Sequence, residues 1–392
     1  MSAAGAMTPR QRTVAAIAAA TVLNLPFGTI YAFSVFLRPM EAMLGIGRAQ
    51  MSLVFALATI SLTVGMNVAP WLYRRLPAVA LVLAAGACSA AGLWLTAAAD
   101  GFAELLLGYG VMFGLGGGVA FILVQQGVNQ TMAMPSGLVN GFIVALYPLG
   151  AMIGAPVFGW AIDAWGLRQT LAGLGVTVLL AAAIAGWLMR VARIAMHDAS
   201  TGGGADADPH WGLFARLFLV FFFAAAAGLM VMSQAAGIVQ AYGGRTALAL
   251  GATTLITGLI AAARTGGGWL VDRFPVPRVA IGAHLWSLAG VLILTLWPGP
   301  LVAIPALSMI GMGYGIVSGL TAGAIAQYWH RNAFGLVAGR LYIAWCVAAV
   351  SLPVLAGWLF DRTEGYGAAV MIAGAGNVLG MLAAAGLPAR RR

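Results

Sequence analysis

The chain has 392 residues, 62% of them hydrophobic and only 8% charged, with 54 glycines; this composition excludes an ordinary water-soluble domain and fits a polytopic helical membrane protein. Its net charge of +10 comes from 20 arginines against 10 acids, with no lysine at all. No basic face is interleaved with aromatics in a polar domain, so the high charge gives no support to a nucleic-acid partner.

Twelve apolar spans are predicted, starting near residues 13, 49, 78, 103, 136, 168, 213, 246, 278, 300, 334 and 366. Each is long enough to cross a hydrocarbon core of about 30 Å. The first is long and lacks a small-residue cleavage site before Arg38, so it reads as a retained helix and not as a removable signal. Within it, Asn24, Pro26 and Gly28 predict a kink that turns Tyr31 inward as a pocket hydroxyl.

In the fourth span Phe121, Gln125 and Asn129 recur every fourth residue and share one face. Amides are costly toward lipid, so this face points inward, where Gln125 contacts a substrate or ties two helices together. The fifth span carries Gly141, Gly150, Gly154, Pro156 and Gly159, a spacing that lets helices pack closely, and places Tyr147 deep within the helix. Residues 191–212, with Thr201 to Pro209 at their centre, form the only extended polar, helix-poor stretch and read as a flexible linker.

The eighth span contains one ionisable residue, Arg264, followed eight residues later by Asp272 and Arg273. An arginine in such a helix costs about 2.5–3.5 kcal/mol on insertion scales, so it must face a protein interior or a wet cavity, and an anion is its natural ligand. All ten acids fall at predicted loops or helix ends, so nothing acidic is buried beside it. His284 in the ninth span reads as a packing histidine, and Tyr314 in the glycine-rich tenth span as a further pocket candidate. Cys88 and Cys346 lie in separate spans and read as small buried hydrophobes, so neither a disulfide nor a metal site is expected, and no cofactor.

The chain also repeats itself with an offset of 198 residues. That shift superposes Gly137-Leu138-Val139 and Gly141 on Gly335-Leu336-Val337 and Gly339, and Gly159-Trp160 and Asp163 on Gly357-Trp358 and Asp361. The same shift carries Trp71-Leu72, Arg75 and Pro77 onto Trp269-Leu270, Arg273 and Pro275. It also places Tyr147 on Trp345, which predicts two equivalent aromatics facing a cavity.

The expected fold is therefore all-α, with twelve transmembrane helices in two parallel six-helix repeats: a first bundle over 1–190, a linker over 191–212 and a second bundle over 213–392. With an even number of spans the termini share a side. That side collects Arg10, Arg12, Arg74, Arg75, Arg190, Arg193, Arg216, Arg273, Arg278, Arg331, Arg340 and the three C-terminal arginines, against Arg38, Arg48, Arg168, Arg245 and Arg362 opposite. By the positive-inside rule both termini are cytoplasmic, in a bacterial-type inner membrane, with anionic lipid headgroups as partners of the loops.

Gly268-Trp269-Leu270-Val271-Asp272-Arg273 resembles the G-x-L-x-D-R core of the major facilitator transporters, whose halves rock about a site near the bilayer midplane. The equivalent loop, Pro70-Trp71-Leu72-Tyr73-Arg74-Arg75, lacks the glycine and the aspartate. Asp272 and Arg273 are the expected gating residues, the aspartate accepting from an arginine or a helix N-terminus of the other half. Arg264 at its spacing from Asp272, and Phe334 to Ala344 with Leu341-Tyr342-Ile343-Ala344, resemble the oxalate/formate antiporter and monocarboxylate transporter families.

That resemblance implies a secondary transporter in which Arg264 binds a carboxylate; Tyr31, Gln125, Tyr147, Tyr314 and Trp345, read from helical spacing and the repeat, are expected to line the site. Trp345 stands where the oxalate transporter has a second cation, and Ile260 where animal monocarboxylate transporters keep an aspartate. One arginine fork satisfies one carboxylate, so a monocarboxylate is expected, not a dicarboxylate. Proton symport, exchange and uniport stay open, with a co-transported or exchanged ion as the possible partner of a monomeric carrier. The alternative within transport is an exporter of drugs or other organic solutes, since the fifth span approaches the glycine-proline signature of antiporters, with Ala155 before the proline. A membrane enzyme lacks its nucleophile, metal set or acid-base pair, and the repeat disfavours a fixed channel.

Overall fold

In the computed structural model, residues 7–196 and 210–389 are described. They form helices joined by short turns, with no strand among the described residues. The central part of the expected linker, 197–209, and the last three arginines lie outside the described residues.

Twelve helices are long and apolar enough to cross a membrane among these residues. They are α1 (Pro9–Leu44), α2 (Gln50–Leu72), α3 (Ala78–Ala98), α4 (Phe102–Thr131), α5 (Gly137–Trp165), α6 (Leu167–Val191), α7 (Trp211–Ala241), α8 (Thr246–Val271), α9 (Val276–Leu296), α10 (Pro300–Tyr328), α11 (Arg331–Thr363) and α12 (Gly367–Ala385). Thr8 opens α1 with a capping box, its hydroxyl accepting from the Gln11 N–H while the Gln11 side chain accepts from the Thr8 N–H. The expected kink follows Pro26, where α1 tightens to a 3-10 turn over Gly28–Ala32.

The helix pairings reproduce the sequence repeat. In the first repeat α1 packs on α4 and α6, α2 on α4, and α3 on α4 and α6; in the second α7 packs on α10 and α12, α8 on α10, and α9 on α10 and α12. Each of these pairings recurs between helices six places further on.

Two compact units result. One contains Met1–Pro135, Leu146–Gly204 and Trp329–Arg340; the other contains Ser136–Ala145, Ala205–Tyr328 and Leu341–Arg392. The first turns of α5 thus pack within the second unit, and the first turns of α11 within the first. These two segments are themselves related by the 198-residue shift, since Gly137 and Gly141 correspond to Gly335 and Gly339.

The contact each segment makes is backbone on backbone. A Cβ at Gly141 would lie 2.5 Å from the Arg264 carbonyl oxygen of α8, and one at Gly339 would lie 2.6 Å from the Met66 carbonyl oxygen of α2. Arg264 and Met66 are again 198 residues apart. Small residues four apart let membrane helices approach closely where no hydrophobic driving force separates protein from lipid. Gly268 faces the Gly137 carbonyl in the same seam, too near for any side chain.

A Gly141→Leu chain is expected to lose about 1–3 kcal/mol of stability through overpacking. The readout is a lower thermal unfolding midpoint in detergent; an unchanged midpoint would argue against backbone contact between α5 and α8.

Candidate functional site

Arg264 is 3% exposed and held between α5 and α10 within the second unit. Its Nη1 donates to the Val144 carbonyl at 3.0 Å, and its Nη2 to the Tyr314 hydroxyl at 2.8 Å. Val144 is available for a reason that lies in the sequence: residue 148 is proline, which has no N–H to return to the carbonyl four residues earlier. A break in the α5 ladder therefore supplies the acceptor that orients the arginine.

Tyr314, 1% exposed, also accepts from the Trp345 indole Nε1 at 3.0 Å. One phenol oxygen thus joins three side chains from α8, α10 and α11, with both its lone pairs directed at donors. Its ring lies flat against α7, where a Cβ at Gly228 would collide with it.

The energetics are balanced on this arrangement. Hydrogen bonds to charged groups are worth about 1.5–3 kcal/mol each, so two of them offset an insertion cost of the size expected for arginine. Val144 and Tyr314 are neutral dipoles: they fix the plane of the guanidinium without cancelling its charge. Ile260, one turn before Arg264, is buried, and its side chain packs at Gly311 of α10, so hydrocarbon occupies that position.

Tyr31 and Tyr147 are brought together in the first unit, with ring centroids 6.3 Å apart and nearly perpendicular. Phe121 stands edge-on to Tyr147 at 5.1 Å, and the Tyr147 hydroxyl donates to the Gly117 carbonyl at 3.2 Å. Gln125, on the next turn of α4, is fully buried, and neither its Oε1 nor its Nε2 has a hydrogen-bond partner among the described residues. The tie to a neighbouring helix that the sequence allowed for Gln125 is not made. Asn129 turns its amide back onto the Gln125 carbonyl at 2.9 Å.

Asp272 has one of the two partners its sequence context allows. Its Oδ1 accepts from the Gly137 N–H at 2.6 Å and its Oδ2 from the Leu138 N–H at 2.9 Å, so it caps the N-terminus of α5. Arg273 instead lies over the Trp269 ring of its own helix, 3.9 Å from the centroid, and Arg75 lies over Trp71 at the repeat-equivalent place. His284 is buried in the second unit against Asn377, its Nδ1 2.9 Å from Oδ1, in keeping with a packing role.

Sequence reasoning missed the Val144 carbonyl and the group around Gln126, Gln130 and Asn67. The first was detectable, because a proline four residues after a carbonyl always removes its helical donor. The second carries no pattern, since the residues 198 further on, Ala324, Tyr328 and Thr265, share none of its chemistry.

Tyr314→Phe removes only the shared oxygen and withdraws one acceptor from two buried donors. A loss of roughly 1–3 kcal/mol is expected, measured by thermal unfolding. A variant as stable as the parent would mean that the phenol does not organise the cluster.

A model of the Major Facilitator Superfamily matches residues 17–353. The chain is similar, at 24% identity over 341 residues and 84% of each chain, to the uncharacterized MFS-type transporter YhjX of Escherichia coli (strain K12). It is also similar, at 26% identity over 400 aligned positions, to monocarboxylate transporter 11 of Mus musculus, over 96% of this chain and 87% of that one. Among solved structures it shares the fold of the proton:xylose symporter XylE, with a TM-score of 0.72 at 16% identity, covering 96% of this chain and 95% of that one. Twelve apolar helices in repeated packing and a family match over most of the length agree: the chain belongs to the Major Facilitator Superfamily, and is an integral membrane transporter.

Proposed function

We propose that this transporter carries a small organic anion with a single carboxylate, and that Arg264 is the group that binds it. The observation that carries the reading is the buried guanidinium oriented by two neutral acceptors, Val144 O and Tyr314 Oη. A carboxylate supplies the opposite charge and matches the planar donor fork. The similarity to a relative named as a monocarboxylate transporter supports the same substrate class.

Trp345 completes the selectivity. It meets Tyr314 with a neutral N–H, where a second cation would recruit a second carboxylate. Within the first unit, the aromatic group of Tyr31, Tyr147 and Phe121 and the buried amide of Gln125 are of a kind suited to the apolar end and the remaining polar atoms of a small acid. Two six-helix halves, over 1–190 and 213–392, expose the substrate alternately to either side, with both termini in the cytoplasm of a bacterial-type cell and Asp272 holding α5 in one state.

The test is uptake of labelled lactate, pyruvate, formate and oxalate into proteoliposomes. Arg264→Ala is expected to abolish uptake of the preferred monocarboxylate, and Arg264→Lys to reduce it strongly, because an ammonium is a point charge without the fork. Undiminished uptake in Arg264→Ala would sink the assignment.

Selectivity gives a separate measurement. Trp345→Lys is expected to shift the ratio of uptake from monocarboxylate toward oxalate by placing a second cation beside Tyr314. An unaltered ratio would argue that Trp345 does not face the substrate.

A further inference from the structure

The carboxylate of Asp272 caps α5 at Gly137, and the repeat places Gly335 of α11 in the corresponding position. The residue that should cap it, 198 before Asp272, is Arg74, which has no acceptor to offer. Yet the Gly335 N–H is satisfied. Gln126 of α4 reaches it with Oε1 at 2.7 Å, inside the first compact unit, and its Nε2 donates to the Arg331 carbonyl at 3.0 Å.

Gln126 is fully buried and uses both ends of its amide on the first turn of α11. Two further amides act beside it: Gln130 Nε2 donates to Asn332 Oδ1 at 3.0 Å, and Asn67 Nδ2 of α2 to the Gly339 carbonyl at 2.9 Å. The start of α11 is thus held by neutral groups from α4 and α2, where the start of α5 is held by an anion from the end of α8.

We infer that Gln126 is a positioning residue of the transport cycle, a neutral latch on α11 that replaces the missing carboxylate of the α2 loop. The inference rests on the alternating-access reading above only for its consequence in transport; the latch itself is a property of the resting chain. α11 carries Trp345, so the latch sets the base of the helix that reaches Tyr314. The two latches are unequal, because a carboxylate at a helix N-terminus gains from the helix dipole and a neutral amide does not.

Hydrogen–deuterium exchange of the full-length protein in detergent reads the latch without any substrate. In Gln126→Met, which keeps the volume and removes both hydrogen bonds, peptides covering 331–340 are expected to exchange about fivefold to tenfold faster, the ratio a net hydrogen bond of this kind is worth. Peptides covering 136–141 should not change. Asp272→Asn should show the reverse pattern.

Gln126→Glu restores the acceptor for the Gly335 N–H but not the donor to the Arg331 carbonyl, and is expected to return protection at Gly335 that Gln126→Met loses. If Gln126→Met folds too poorly to measure, the Glu variant still decides: wild-type protection supports the latch, and protection lost with the acceptor present overturns it. Unchanged exchange in Gln126→Met likewise overturns it. In proteoliposomes the Met variant should alter the maximal transport rate with KM for the preferred monocarboxylate retained within about twofold, well under the tenfold that 1.4 kcal/mol of lost substrate binding would give. If no tested carboxylate is transported, the substrate reading fails while the exchange pattern still stands or falls by itself.

Discussion

A cation inside a hydrocarbon-spanning helix needs protein acceptors, and the local architecture follows from the two that meet the Nη1 and Nη2 of Arg264. Pro148 breaks the α5 ladder, so the Val144 carbonyl is open to Nη1. For that carbonyl to lie within reach, α5 and α8 must approach at backbone distance, which Gly141 and Gly268 permit. Tyr314 must stand on the other side, and Gly228 leaves room for its ring. Three of the 54 glycines, Gly141, Gly228 and Gly268, thus make room around one charge.

The repeat separates scaffold from chemistry. Where the 198-residue shift relates backbone contacts, it holds closely: Gly141 on the carbonyl of Arg264 matches Gly339 on that of Met66, and the α2 and α8 ends carry the same arginine-on-tryptophan stack. Where it relates functional side chains, it fails. Arg264 answers to Met66, Pro148 to Cys346 and Asp272 to Arg74, and only the aromatic character of Tyr147 persists, in Trp345. Packing needs the same small residues in both halves, but a single buried cation is carried by only one of them.

Span number and positions were readable because the signal is strong and local: about twenty apolar residues bounded by arginines, prolines and glycines leave few alternatives in a bilayer. The repeat was readable because it preserves rare residues, tryptophan and proline, at a constant offset. Arg264 was conspicuous for being alone, and Tyr314 and Trp345 were found but not joined, since a phenol accepting from both is a matter of rotamer and helix rotation. Gln126 was passed over beside Gln125, one position away on α4. A shift of about 100° around a helix separates an amide with no protein partner from one that caps α11, and no spacing rule distinguishes them without knowing which neighbour each side faces.

The use of neutral acceptors around Arg264 has a further physical consequence. A carboxylate in place of Val144 O or Tyr314 Oη would hold the guanidinium more tightly, by a charge-assisted bidentate pair, and would compete with any anion for the same donors. A carbonyl and a phenol satisfy hydrogen-bond geometry as neutral dipoles. They also keep the cluster orderly: the carbonyl belongs to a helix and the phenol is fixed from a third side by Trp345, so the fork is held in one orientation, and a pre-oriented group loses less entropy when it binds. Burial then sharpens the choice, because in a low-dielectric surrounding the difference between a charged and a neutral ligand is far larger than in water. On the proposed reading, an arginine oriented by the Val144 carbonyl and the Tyr314 hydroxyl selects for negative charge first and for shape second.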